Sequence, residues 1–258
     1  MGVMYKMMAR HCKERAFPHL RIAESGGMFT DRDIHRNFLD AFGIPVLSVW
    51  GSTETTGIAL ANAPDNYRID GSMGKPCPYY QVKLVDEEGK EVAPGETGEL
   101  IFSGPAVISG YQNAADFSGE NDWYFSGDLA QKDEQGFFRF IERKSGMIKV
   151  AGLKVYPLQV ELVIQQHPAV REVAVIGIPE KRRGYVPKAF IALEENSELD
   201  ENELKAELET FCRQRLAAYM VPKVFQIIEE LPKIGSGKIN KKILLANPEF
   251  SSVPAPAL

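Results

Sequence analysis

Cysteine is scarce in this chain: three in 258 residues, Cys12, Cys77 and Cys212, with no Cys-x-x-Cys spacing and an odd count. Such a set supports neither a disulfide framework nor a zinc site, and it suits a reducing, cytoplasmic setting. Positive charge is not in excess either. With a formal net charge of −5, the basic surface that a nucleic-acid partner requires is missing, so no nucleic acid is expected. No apolar run approaches the roughly 18 residues of a membrane span, and the start Met-Gly-Val-Met-Tyr-Lys lacks the apolar core of a signal peptide. A soluble protein with no membrane span is the expectation. Absent too, ahead of residue 50, is a Gly-rich stretch able to wrap a polyphosphate in backbone N–H groups.

What is present is patterned. Residues 1–20 read as a helix ending near Pro18, and Asp31 to Phe42 as a second, opened by Thr30 or Asp31 and closed at Gly43. Ile44 to Trp50 has the nearly continuous apolar character of a strand buried on both faces, as in a parallel sheet. From 70 to 142 the texture changes to short strands, 81–85, 99–102 and 137–141, with a turn at 86–90, which predicts a small antiparallel barrel or sheet. Past Arg143-Lys144-Ser145-Gly146, helix and strand alternate. Pro157 opens a helix that Pro168 stops, strands follow at 170–178, 187–193 and 224–228, and Asp200 with Glu203 caps a helix whose Leu204, Leu208, Phe211 and Cys212 share a face. The expected fold is α/β and α+β. Residues 1–69 form an α/β part and 70–142 a β-rich subdomain; 143–146 are a hinge, 147–250 a compact α+β domain and 251–258 a tail.

Six short motifs follow one another: Ser25-Gly26-Gly27; Trp50-Gly51-Ser52-Thr53-Glu54; Gly98-Glu99-Leu100 running to Gly110-Tyr111-Gln112-Asn113; Tyr124-Phe125-Ser126-Gly127-Asp128-Leu129; Glu142-Arg143 to Gly152; and a glycine-flanked loop ending in Lys238. In this order they resemble the C-terminal half of the adenylate-forming, AMP-binding superfamily, which includes acyl-CoA and aryl-CoA synthetases, peptide-synthetase adenylation domains and beetle luciferases. The resemblance implies an AMP-forming acid-thiol ligase. A carboxylate attacks the α-phosphorus of ATP to give an acyl-adenylate and pyrophosphate, and the thiol of CoA then displaces AMP.

It also implies the parts. Ser25, Gly26, Gly27, Trp50 and Gly51 would meet adenine, because glycine lets the main chain come close and an aromatic offers a face; the plainer reading of Trp50 is a core aromatic. Thr53 is cast as a phosphate contact and Glu54 as a Mg²⁺ ligand, the hard oxygen donor that such an ion requires; a helix-capping Thr-Glu pair is the alternative. Asp128 would accept both ribose hydroxyls, beside Arg143 at the second ribose-contacting position. Lys238, cationic at neutral pH, would stabilise charge spreading over oxygens during adenylation, unless it is a solvated loop lysine. Its loop is not a Walker motif, since Pro232 stands where glycine is needed and Ile239 replaces Ser or Thr. Rotation of the second domain about Ser145 would alternate Lys238 with a thiol face built on Gly152 and Lys149, though the favoured reading of Lys149 is a strand lysine facing solvent. ATP or AMP, Mg²⁺, CoA and a carboxylic acid are the implied ligands. Met28, Thr55, Thr56, Gly57 and Ile58 suggest an uncharged acyl tail.

Two departures stand out. Ser145 and Gly146 replace the usual Lys or Asp and the following Asp at the hinge, and the Ser/Thr/Gly-rich phosphate loop with most of the first large subdomain has no counterpart. A truncated large domain is implied, with a missing N-terminal half as a partner and weak ATP-dependent adenylation by this chain alone. A peptide-synthetase-type adenylation fragment and a non-catalytic nucleotide-binding or regulatory module stay open beside the ligase.

Overall fold

The computed structural model describes residues 2–12, 17, 19–27, 29–30, 32–112, 119–120, 122–194, 200–235 and 237–247. The chain divides into two compact units, Met1–Lys144 and Ser145–Leu258.

The first unit contains α1 (Gly2–His11), β1 (Ala23–Ser25), α2 (Arg32–Phe42), β2 (Val46–Ser52), β3 (Gly57–Ala61), β4 (Ser72–Pro76), β5 (Gln81–Val85), β6 (Thr97–Ser103), β7 (Gly119–Glu120), β8 (Trp123–Lys132) and β9 (Phe138–Arg143). They build one mixed sheet in the order β1-β2-β3-β4-β9-β8-β6-β5, with β7 paired to β8. Among the described pairings of this sheet only β1 and β2 run parallel. The helix expected over 1–20 ends instead at His11, and Phe17 lies against Phe42 of α2, ring centroids 5.5 Å apart. Pro18 and Asp31, named as its stop and as a cap, lie outside the described residues. The strand expected at 44–50 is shifted to Val46–Ser52, because Pro45 has no N–H to give to a ladder. It is fully buried only at Val46 and Leu47, since its second neighbour is an antiparallel strand rather than another parallel one. Two cores serve this sheet. Ala23, Phe38 and Val46 pack with Tyr5, Met8 and Phe42 at the helical end, and Leu60, Leu84, Leu100, Phe102, Tyr124 and Phe138 fill the β-rich end.

The second unit contains β10 (Ile148–Val150), β11 (Leu153–Val155), α3 (Pro157–Ile164), β12 (Val170–Glu180), β13 (Gly184–Leu193), α4 (Glu201–Arg213), β14 (Val224–Ile227) and α5 (Lys241–Ala246). Its sheet order is β11-β10-β13-β12, with β14 parallel to β13. Pro157 opens α3, and Asp200 caps α4 by accepting from the amides of Asn202 (2.8 Å) and Glu203 (3.2 Å). Period-two alternation explains the layers. Val173, Val175, Ala189 and Ile191 face α3 and α4 through Val160, Ile164, Leu204, Leu208 and Cys212. Ala174, Ile176, Val186 and Phe190 face Leu231 and Leu244 on the other side. Lys149 does stand on a strand, β10, whereas β11 and the short α5 had no signal strong enough to be read beforehand. Among the described residues no helix is long and apolar enough to cross a membrane.

Leu208 is fully buried in this second core. Leu208→Ala is therefore expected to cost about 3 kcal/mol, read as a lowered urea midpoint by far-ultraviolet circular dichroism. A cost below about 1 kcal/mol would place Leu208 outside any tightly packed core.

Candidate active site

The site in the first unit is organised by an irregularity in β8. Ile101 on β6 faces Phe125, yet Glu99, two residues away, faces Leu129, so Ser126, Gly127 and Asp128 bulge opposite a single residue, Leu100. The Ser126 hydroxyl repairs the ladder: it donates to the Leu100 carbonyl (2.7 Å) and accepts from the Asp128 amide (3.1 Å). Gly127 takes φ +71°, a left-handed conformation that costs glycine nothing. Bulges re-aim side chains, and this one sends Asp128 inward. Its side chain is 4% exposed, and Arg143, directly opposite on β9, places Nε 2.7 Å from Oδ1. Trp50 Nε1 donates to Oδ2 at 2.8 Å.

Trp50 is itself fixed. Its ring stacks on Phe102 with centroids 4.4 Å apart and planes 8° from parallel, so one face is committed to packing and the indole N–H to Asp128. Beside it Gly51 is held by close approach: a Cβ would come within 2.2 Å of the Gly57 carbonyl oxygen. Burial pushes the Asp128 carboxyl above its ordinary value; Arg143 and Trp50 pull it down, and the neighbouring Glu142 and Glu99 push it up again, leaving it raised. Glu99 is paired with Lys144 at 2.5 Å.

Glu54 follows β2 in a tight loop. Thr55, expected to line an acyl pocket, is instead buried as an internal bolt, its hydroxyl donating to the Gly57 carbonyl (2.8 Å) and accepting from the Ser52 amide (3.0 Å). Thr53 is exposed, its carbonyl accepting from the Thr56 amide at 3.0 Å. Tyr111 donates its hydroxyl to Glu54 Oε1, and Ile108 N–H bonds the Glu54 carbonyl at 2.9 Å. Partial burial alone would push the Glu54 carboxyl up, but hydrogen bonds from Tyr111, its own backbone, Ser52 and Tyr124 hold it below the usual carboxylate value. Tyr124 is pushed up to about 12, chiefly by burial; Ser52 and Arg143 draw it down, and Glu54 adds to the rise. Its phenol therefore stays protonated, a donor toward Glu54. Sequence reasoning named the strings containing Tyr111 and Tyr124 and gave neither residue a task.

A Mg²⁺ ion finds one hard donor here, Glu54, and no group of three or more His, Cys, Asp or Glu residues gathers among the described residues. That suits an ion whose remaining ligands are phosphate oxygens and water. Ser25 and Gly26 lie at the C-terminal end of β1, beside Ser48 on β2, the end of parallel strands where ligands collect. The buried Ser25 hydroxyl pairs with that of Thr30 at 2.7 Å, a Cβ on Gly26 would touch Val49 at 3.0 Å, and Gly27 has φ +72°. Met28 and Asn113 lie outside the described residues.

In the second unit the remaining candidates separate. Ser145, its first residue, is exposed within a single 3-10 turn, Lys144–Gly146. Lys149 is exposed on β10 opposite Lys154 on β11, and Gly152 turns that hairpin at φ +86°, with nothing within 4 Å of where a Cβ would stand. Lys238 is exposed at a different hairpin, where Lys233 bridges Ile239. The first hairpin joins β13 on the side away from β12, and Lys233 pairs with Glu172 of β12 at 3.1 Å. The two sets thus lie at opposite edges of one sheet.

Residues 2–112 match the family model described as AMP-binding enzyme, and residues 159–238 match that of the AMP-binding enzyme C-terminal domain. The long-chain-fatty-acid–CoA ligase of Escherichia coli O157:H7 is 38% identical over 231 residues, which is 88% of this chain and 40% of the relative. An anthranilate CoA ligase solved in complex with anthranoyl-AMP is 32% identical with a TM-score of 0.80, covering 94% of this chain and 48% of that one. The o-succinylbenzoate coenzyme A synthetase of Bacillus subtilis, solved with ATP and magnesium ion, is 30% identical with a TM-score of 0.79, covering 92% and 48%. The chain spans between 40% and 48% of the length of these relatives.

Because the folded state holds the Asp128 proton more tightly than an unfolded chain does, ionising Asp128 subtracts from stability at neutral pH, and the loss fades as pH falls through its raised folded pKa. Arg143, 62% exposed, would return to water without penalty if its partner were neutral. Asp128→Asn is thus expected to be at least as stable as wild type in urea at neutral pH, its advantage shrinking as the solution is acidified. A variant clearly weaker at neutral pH would mean that the Arg143 and Trp50 bonds outweigh burial.

Proposed function

This chain belongs to the AMP-binding enzyme family, and from that premise we propose that it is the C-terminal portion of an AMP-forming acid-thiol ligase that activates a fatty or aromatic carboxylic acid and passes it to CoA. The observation that carries the reading is the Asp128 carboxylate, buried inside a bulge at an energetic cost and kept beside an exposed Arg143.

In the reaction, Asp128 accepts the ribose hydroxyls, displacing none of its bonds to Trp50, since a carboxylate offers about four lone-pair directions. Arg143 swings its exposed guanidinium toward the sugar. Glu54, held ionised, would hold a Mg²⁺ ion, which when bound would supply Lewis-acid polarisation of phosphate oxygens; Tyr111 and Tyr124 orient that carboxylate. Ser25, Gly26 and Gly27, with the open face of Trp50 and the Gly51 backbone, receive adenine, and Thr53 a phosphate. Lys238 offsets the charge that grows on the α-phosphate and carboxylate oxygens as the acyl-adenylate forms. Gly152 and Lys149 serve the thiol step from the opposite edge of the second unit, with Ser145 as hinge.

No Ser/Thr/Gly-rich phosphate loop precedes Trp50. On this reading the chain holds β- and γ-phosphates poorly by itself, and a further polypeptide segment supplies that loop. The chain acts in a reducing cytoplasm.

Supplying a synthetic acyl-adenylate together with CoA bypasses the missing loop. Thioester and AMP are expected, with little change in Lys238→Ala and a fall of at least about 10-fold, or about 1.4 kcal/mol in the barrier, when Gly152 is enlarged to Leu. Failure with fatty and aromatic adenylates alike, while AMP still binds, would favour the nucleotide-binding module without turnover.

A further inference from the structure

Lys238 stands on a hairpin whose Gly235 and Gly237 have nothing within 4 Å of where a Cβ would stand, yet the base of that hairpin is fastened on both sides. Lys233 and Ile239 bridge, Ile234 N–H bonds the Lys238 carbonyl at 2.9 Å, and Asn240 N–H bonds the Pro232 carbonyl at 2.6 Å. On the incoming strand Lys233 Nζ lies 3.1 Å from Glu172 Oε2 of β12. On the outgoing side Lys241 Nζ, at the first residue of α5, lies 2.7 Å from Glu161 Oε1 of α3. Glu161 is itself immobilised: its side chain is only 14% exposed, and the same oxygen accepts from the Val175 amide of β12 at 2.6 Å. Upstream, the Arg171 guanidinium bonds the Glu229 carbonyl at 2.8 Å, and Ile228 N–H bonds the Ile191 carbonyl at 2.9 Å.

We propose that Glu161 and Glu172 are positioning residues for Lys238, two carboxylates on separate elements that clamp the two strands of its hairpin to β12 and α3 so that the ammonium is presented at one place. The inference rests on the assignment of Lys238 to the adenylation step. A lysine at the end of four rotatable bonds on a loose loop must surrender conformational freedom each time it meets a phosphate, and an oriented group is worth orders of magnitude in rate. Fixing the stem removes the backbone part of that loss in advance. The two clamps are unequal. Glu161, mostly buried and tied to a backbone amide, makes the stronger charge-assisted contact; Glu172 and Lys233 are more exposed, so their pairing contributes less.

Hydrogen exchange measured by mass spectrometry on the full chain tests the clamp directly. In the Glu161→Gln, Glu172→Gln double variant, peptides spanning 233–241 are expected to exchange at least about 5-fold faster than in wild type while α4 peptides do not change; Lys241→Arg, which keeps the pair, is expected to stay near wild type. Unchanged exchange in the double variant overturns the proposal. If α4 also accelerates, so that the second unit has loosened as a whole, the single Glu172→Gln variant decides, since that side chain lies outside the core. Acyl-adenylate formation from ATP and a carboxylic acid, measured with a polypeptide segment that carries the phosphate loop joined to the chain so that wild type turns over, supplies the functional arm: the double variant is expected to lose about 10-fold in kcat with KM for ATP unchanged, and to keep thioester formation from supplied acyl-adenylate. Loss in Lys238→Ala without loss in the double variant overturns the positioning role, whereas no loss in Lys238→Ala overturns the assignment of Lys238 itself.

Discussion

A carboxylate removed from water must be compensated, and the first unit is arranged around that requirement at Asp128. The bulge in β8 exists because three residues are fitted opposite Leu100; Ser126 closes the gap with its own hydroxyl, and Gly127 supplies the left-handed turn. Once the carboxylate points inward, it needs the Arg143 guanidinium across the ladder and the indole N–H of Trp50. Trp50 in turn is held flat on Phe102, a member of the β-rich core. Packing of the core and placement of the charge are thus one problem with one solution.

Two acids close to this core are driven in opposite directions. Glu54, though partly buried, is surrounded by donors and held below its ordinary pKa, which suits a ligand for a hard cation. Asp128 is raised, because burial and the acids Glu142 and Glu99 outweigh Arg143 and Trp50. Environments that push neighbouring acids apart are a mark of sites where each must do a different job. Tyr124 feels both Glu54 and Arg143, and its high pKa keeps it a donor throughout the physiological range.

Much of this was legible in the sequence, and the part that was not has a physical explanation. Motif strings such as Ser126-Gly127-Asp128 could be read because the chemistry constrains consecutive residues, and the caps at Pro157 and Asp200 because helix ends impose local rules. Contacts that join distant strings leave no such trace: Trp50 to Asp128 spans 78 positions and Tyr111 to Glu54 spans 57, and no periodicity carries that information. Trp50 was read as an adenine platform or a core aromatic, and its packing on Phe102 shows that one ring face is taken. The strand at 44–50 misled for another reason. Its apolar run resembled a strand covered on both sides, whereas burial stops at Leu47 and the rest of β2 borders an antiparallel hairpin. Short elements, β11 and α5, carry too few residues for a period to emerge.

The position of β12 at the end of its sheet has one more consequence. An outermost strand presents unpaired amides that a stranger's strand can join, which is how soluble domains begin to stick together. Here the Val175 amide is already occupied by Glu161, while Arg171 and Glu172, both charged, stand on the same strand. On the proposed role of Glu161 and Glu172, the residues that would steady Lys238 also blunt this edge against strand addition, so selection on either property would preserve both.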